Sequence, residues 1–254
     1  MRKVNEMTVK SRPRNPIEIV MMAITYILYQ SRFVIGRTAL LVSDHMDGKM
    51  EGFPSISTSC NINPFCLARI MQGIGICAHC FAAASLGIYK DLRHNCELNF
   101  RLLTSRIIPL ELLPHFCKDV RQVRLESFGD VYNVTQAINY INIAKVNPHC
   151  RITVWSKNPN IWAQAFAQAG KPSNMTFVLS SQELNIPATV KPEWWFVDIV
   201  FTVYDPIFVE AFNIKINCGA RRCLTCQKCY PNLGVKHNGV IYINELLKNK
   251  GRKK

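Results

Sequence analysis

The sequence contains no secretory leader that can be read. Its basic start runs into polar residues, and no small-residue cleavage site follows the first apolar run. That run, residues 17–30, is too short to cross a bilayer and carries Glu18, so it reads as a buried helix and no membrane is expected as a partner. No Walker-type phosphate loop, dinucleotide glycine fingerprint, serine nucleophile elbow or HExxH pair appears, so the common nucleotide and hydrolase chemistries have no support. Internal repeats are also lacking. Acidic residues are scarce, 17 against 31 Lys and Arg, which leaves a formal charge of +14.

That charge is concentrated at the ends. Arg2, Lys3, Lys10, Arg12 and Arg14 face only Glu6 in the first 14 residues, and Lys248, Lys250, Arg252, Lys253 and Lys254 close the chain. Such tails attract phosphate-rich polymers without sequence preference, so non-specific nucleic acid is the expected partner beside an unknown substrate. With 48% hydrophobic residues, 254 residues can bury one substantial core. The chain divides into a basic tail and helix (1–50), an α/β core (51–213) and a cysteine-rich segment with its basic end (214–254).

From about residue 120 the pattern alternates. Residues 120–130 predict a strand, and 133–148 a helix with Asn133 and Gln136 as a capping pair and Pro148 as its stop. Residues 151–157 predict a strand, 158–170 a helix from Pro159 to Gly170, and 175–181 a third strand. This succession implies an α/β fold: parallel strands with covering helices, as a partial or complete βα barrel or an open sheet, doubly wound in one version. Sites then gather at the carboxyl ends of the strands, where Glu126, Gly129, Asp130, Ser156, Lys157, Ser180, Ser181 and Gln182 stand. Residues 81–106 predict mostly helix weakened at Gly87, 190–206 a strand-rich stretch, and 239–247 a strand turning into a short helix.

Eleven cysteines in a chain expected to meet a reducing cytoplasm point to metal ligation rather than disulfides. Cys223, Cys226 and Cys229 follow one another at two-residue spacers, which lets successive thiolates turn toward one centre, and Cys218 supplies a fourth. The spacing favours an iron–sulfur cluster and leaves zinc open. A looser group, Cys60, Cys66, Cys77 and Cys80, forms a second candidate set. Cys96, Cys117 and Cys150 are isolated and read as small buried hydrophobes.

The order of these pieces resembles the phage gene product 88 family of bacteriophages and prophages. The likeness rests on Pro54–Cys60, on Cys80-Phe81-Ala82, on Arg124 with Gly129-Asp130, on Asn147-Pro148 before Ser156-Lys157, and on Cys226, Cys229 and Tyr230. It spans residues 52–242. Where the family has histidine two residues after the arginine and serine before Gly-Asp, this chain has Glu126 and Phe128. The resemblance implies a cytoplasmic protein of the bacterial host, related to radical S-adenosylmethionine enzymes. It implies a partial βα barrel and a 4Fe–4S cluster on Cys77, Cys80 and one of Cys60 or Cys66. Cys218–Cys229 would hold an auxiliary centre. Glu126, Gly129, Asp130 and Lys157 are then the implied cofactor-binding positions, with Gly129-Asp130 meeting the cofactor's amino group.

Overall fold

A computed structural model of the chain describes residues 26–44, 48–73, 75–230 and 239–247. Six strands form one open, wholly parallel sheet: β1 (Ser55–Ile56), β2 (Gln122–Leu125), β3 (Arg151–Ser156), β4 (Met175–Ser180), β5 (Ile199–Tyr204) and β6 (Ile241–Leu246). They lie side by side in sequence order. Doubly wound sheets need a reversal of strand order, and this one has none. With right-handed crossovers, an unreversed order sends successive helices to the same face.

Three helices separate β1 from β2: α1 (Pro64–Gln72), α2 (Phe81–Ile88) and α3 (Lys90–Ser105). The next crossovers carry α4 (Val134–Val146) and α5 (Pro159–Ala169), and α6 (Pro206–Phe212) and α7 (Cys223–Cys226) lie between β5 and β6. Alternation along the strands explains the layering. Val123, Leu125, Ile152, Val154, Phe177 and Leu179 enter the main core, where Ala137, Tyr140, Ile141, Trp162 and Phe166 of α4 and α5 meet them. The intervening residues face the other way, and there Trp155, Val178, Ile199 and Ile243 meet Tyr230, Cys218, Cys223 and Cys229. A parallel sheet has to be covered on both faces. Here the second cover is the cysteine-rich segment. Thr153 donates its hydroxyl to the Cys229 carbonyl at 3.1 Å, and Arg151 donates to the Tyr230 carbonyl at 2.9 Å.

Both sheet edges are also covered, which removes open templates for strand addition. Ser43 exchanges two backbone bonds with Ser55 of β1, and the amides of Asn217 and Cys218 donate to Asn244 of β6.

The predicted alternation over 120–181 matches the observed elements, including the cap. The Asn133 side chain accepts from the Gln136 amide at 2.9 Å, while Gln136 Oε1 accepts from the Tyr132 amide at 2.9 Å. Elsewhere the expectations need correction. Residues 26–30 of the expected N-terminal helix are not helical, because Tyr29 pairs its backbone with Thr38; residues 17–25 and both basic tails lie outside the described residues. The helical stretch 81–106 breaks at Tyr89, whose extended backbone (φ −96°) caps α2, rather than at Gly87. Within 190–206 the strand is confined to β5, since Pro192 and the turns around Trp194 precede it. At the end of the chain, Glu245 and Leu246 stay in β6, paired with Val203 and Tyr204, where a short helix was expected.

Asn147 fastens this scaffold below the sheet. Its side chain accepts from the buried Phe116 amide at 2.7 Å and donates to the carbonyls of Pro114 and Ile143. Replacing it, Asn147→Ala, strands the Phe116 amide and the Pro114 carbonyl. The expected loss is at least about 2 kcal/mol, read as a lower urea midpoint at unchanged slope.

Candidate metal centre

Loops at the carboxyl ends of β1 and β2 are joined by one buried carboxylate. Glu126 ends β2 with φ +58°, a left-handed conformation that turns the chain sharply. Its carboxyl group accepts from the Thr58 amide (3.1 Å) and hydroxyl (2.9 Å), from Gln136 Nε2 (2.7 Å) and from the Tyr140 hydroxyl (2.6 Å). Burial pushes its pKa up to about 7 in spite of these donors. Gly129 follows in the same loop, and a side-chain carbon there would collide with Thr58, so the approach of the two loops requires glycine. Asp130, also buried, accepts from the Ser156 hydroxyl (2.6 Å), the Lys157 amide (2.8 Å) and the Val131 amide (2.8 Å), which locks β2's loop to the end of β3. Burial raises its pKa as well. Gln182 continues the chain of bonds by donating to the Lys157 carbonyl at 3.0 Å.

On this rim sit the thiols. Cys60, Cys66 and Cys80 pack in one cluster with Cys96, Leu86 and Phe128. Cys60 and Cys80 act on each other: the neighbouring thiol raises the pKa of Cys60 and lowers that of Cys80, while Cys60 Sγ donates to Asn61 Oδ1 at 3.5 Å. The amides of Ala82 and Ala83, at the start of α2, and Lys157 also favour the Cys80 thiolate. Burial first, then the charge of Asp130, pushes the Cys66 thiol up. Cys77 lies in a 3-10 turn (Gly75–His79); its carbonyl accepts from the Cys80 amide at 3.2 Å, and the turn docks on the β4 loop through a 3.0 Å bond from the Ile76 amide to the Gln182 carbonyl. Cys60, Cys66 and Cys80 thus share one packed group, and Cys77 is tied to Cys80 through the backbone.

The second group lies across the sheet face. Cys218, Cys223, Cys226 and Cys229 line a single hollow of about 30 Å³, closed by Tyr230 and Ile243. Lys49 reaches it, with Nζ 3.6 Å from Cys218 Sγ and 2.7 Å from Glu245. Burial acts to lower the Lys49 pKa, but Glu245 and Cys218 outweigh it and leave the pKa raised. Arg124 lies over the Trp155 ring at 3.9 Å, and its charge eases ionisation of Cys223 and Cys229. Burial still holds Cys229 up at about 12. Arg124 Nε and the Tyr230 hydroxyl are buried without a hydrogen-bond partner among the described residues. Two unused donors beside four sulfurs fit an added acceptor.

Among the described residues, no three His, Cys, Asp or Glu side chains stand close enough to hold one metal ion as placed, so ligation would draw the thiols inward. All eleven cysteines are free thiols, as the expectation against disulfides required. Cys96 and Cys150 are buried as expected, while Cys117 is half-exposed. No single described helix is long and apolar enough to cross a membrane. Sequence reasoning missed the Thr58–Glu126–Tyr140 network and the placement of Lys49 and Arg124. The available signal was polar Gln136 and Tyr140 one turn apart on an apolar helix face.

Fold and site together define an α/β protein with thiols at the rim and on the second face of a singly wound parallel sheet. The chain belongs to the Gene product 88 family, the phage family to which the motif order pointed; its family model matches residues 39–245. No curated protein and no solved structure matches it.

Two outcomes test the rim. Gly129→Ala is expected to lose folded protein in a stability assay, because Thr58 is held on the opposite loop by Glu126. Glu126 has a folded pKa raised above its ordinary value of 4.5, so its contribution to stability is full below about pH 4.5 and lost as pH rises through about 7. Urea unfolding between about pH 5 and 8 should show a decline, up to about 3 kcal/mol, that Glu126→Gln flattens.

Proposed function

We propose that the chain is an iron–sulfur protein with a cluster held by Cys60, Cys66 and Cys80 at the carboxyl rim, and a second centre on Cys218, Cys223, Cys226 and Cys229. The observation that carries this reading is the packing of Cys60, Cys66 and Cys80, from three separate segments, into one contact group at the rim. Three protein ligands leave one corner of a 4Fe–4S cluster for an outside molecule. A reduced cluster of that kind supplies the electron that cleaves the sulfonium of S-adenosylmethionine. The unreversed sheet order suits the partial barrel of radical S-adenosylmethionine enzymes, and Glu126, Gly129, Asp130 and Lys157 all belong to the same rim.

The chain's own residues have definite tasks in this reading. The start of α2 and Lys157 stabilise the Cys80 thiolate. Glu126 and Asp130 fix the two loops that bear the site, and Asp130 already spends both oxygens on Ser156, Val131 and Lys157. At the second centre, Arg124 and Lys49 offset the charge of four thiolates. The hollow of about 30 Å³ supports a second reading for this centre alone, a structural zinc ion, since it has room for one small occupant. The basic tails give a separate, salt-sensitive attraction to nucleic acid.

Anaerobic purification, a visible spectrum and metal analysis test the whole. The expected result is a brown protein with broad absorbance near ~400 nm. Replacing Cys60, Cys66 and Cys80 together by Ala should remove one cluster's iron and sulfide and leave the other centre. Reduction with S-adenosylmethionine should then release 5′-deoxyadenosine from the native protein and none from that variant. A colourless protein with stoichiometric zinc in both centres overturns the reading.

A further inference from the structure

Residues 48–53, which lead into β1, lie across the cysteine-rich segment as a strap. A 3-10 turn (Gly48–Met50) opens it. The Lys49 ammonium donates to Glu245 Oε1 at 2.7 Å, to the Cys218 carbonyl at 3.2 Å and to Cys218 Sγ at 3.6 Å. Met50 and Phe53 pack with Tyr230, Cys223 and Cys229, and the Phe53 and Tyr230 rings meet at 4.7 Å between centroids. Glu51 pairs with Arg222 at 2.9 Å. Gly52, at φ +84°, turns the chain so closely past α7 that a side-chain carbon there would stand 2.9 Å from Leu224. From the sheet side Arg124 meets the strap, with Nη1 3.5 Å from Met50 Sδ.

This anchoring fixes a charge. A lysine ammonium has three donors, and here the acceptors are a carboxylate, a carbonyl and a sulfur. The Lys49 and Glu245 side chains are only 25% and 20% exposed, so water and salt screen their effect on the sulfurs less than at an open surface. One positive and one negative group thus stand side by side at the four thiols, the positive one bonded to Cys218. Hydrogen bonds to sulfur and net charge set the reduction potential of an iron–sulfur centre. A fixed cation favours the reduced form, and a fixed anion opposes it.

We propose that Lys49 is a positioning residue of the second centre: held by the strap and by Glu245, it raises the reduction potential of a cluster on Cys218, Cys223, Cys226 and Cys229, and Glu245 opposes it. This rests on the reading of those four thiols as an iron–sulfur site.

The full chain with Cys60, Cys66 and Cys80 replaced by Ala leaves the second centre alone, and its midpoint potential is read by an EPR-monitored redox titration. In that chain Lys49→Met should favour the oxidised form about tenfold, a fall of about 59 mV for one electron. Glu245→Gln should shift the potential upward, and Lys49→Arg should stay near the parent value. Both neutral substitutions break the same ion pair, so a merely structural role would move them together, whereas a role through charge moves them apart. Shifts of one sign, or no shift in either variant, overturn the proposal and leave the cluster reading standing. Where Lys49→Met assembles no centre, Glu245→Gln decides: a rise in potential supports the proposal, and a fall or no change overturns it. Zinc without iron in the parent chain removes the reading of the second centre as a cluster, and this inference with it.

Discussion

A carboxyl group with no water around it holds the rim together. Glu126 is fully enclosed, and burial of such a group is unfavourable unless donors surround it. Thr58, Gln136 and Tyr140 supply those donors from the β1 loop and from α4. Each partner thereby becomes fixed as well. Thr58 lies two residues before Cys60, so the bond that satisfies Glu126 also sets where the cysteine loop leaves the sheet. Asp130 repeats the arrangement one strand further on, with Ser156 and Lys157. The geometry of the thiols is therefore a consequence of two carboxylates that must be satisfied, and Gly129 is the residue that lets the loops approach closely enough to do it.

The second face of the sheet poses a different problem. Helices cover the first face because the strands follow one another without reversal. The second face receives irregular chain, in which α7 has four residues and no buried side chain. Such a segment contributes little apolar burial of its own, and its hold on the sheet comes from Thr153, Arg151, Tyr230 and the half-buried thiols. A centre on four thiols would cross-link it where packing is thin, which is how small metal sites stabilise short loops. Among the described residues, the Tyr230 hydroxyl and Arg124 Nε have no hydrogen-bond partner there.

Local chemistry was legible in the sequence wherever it governs locally. Asn133 with Gln136, Pro159 at the head of α5 and Gly170 at its end are read from composition and spacing, and the elements follow. Reading fails where distant backbone decides. Tyr29 looks helical in an apolar run until Thr38 offers it a partner, and Glu245 extends β6 because β5 is there to pair with. The rim positions were legible as polar residues at strand ends, but their division of labour was not. That Glu126 and Asp130 fasten loops to each other depends on partners far away in sequence, which spacing does not disclose. Cys77-x-x-Cys80 reads as one close pair, and in the fold the Cys80 amide donates to the Cys77 carbonyl while Cys80 caps α2; that the turn bearing Cys77 docks on the β4 loop was not legible.

The two thiol groups differ in electrical setting, and that difference bears on how each would be filled. Around the second group burial raises the thiols; Glu245 adds to this at Cys218 and Cys223, while Lys49 and Arg124 act in the opposite sense. At the rim, burial raises Cys66, which faces the charges of Asp130 and Glu126 with Lys157 in partial opposition, and the neighbouring Cys80 and burial raise Cys60. A metal or cluster entering either group has to displace protons from thiols held above their ordinary pKa, so loading is coupled to proton release at both.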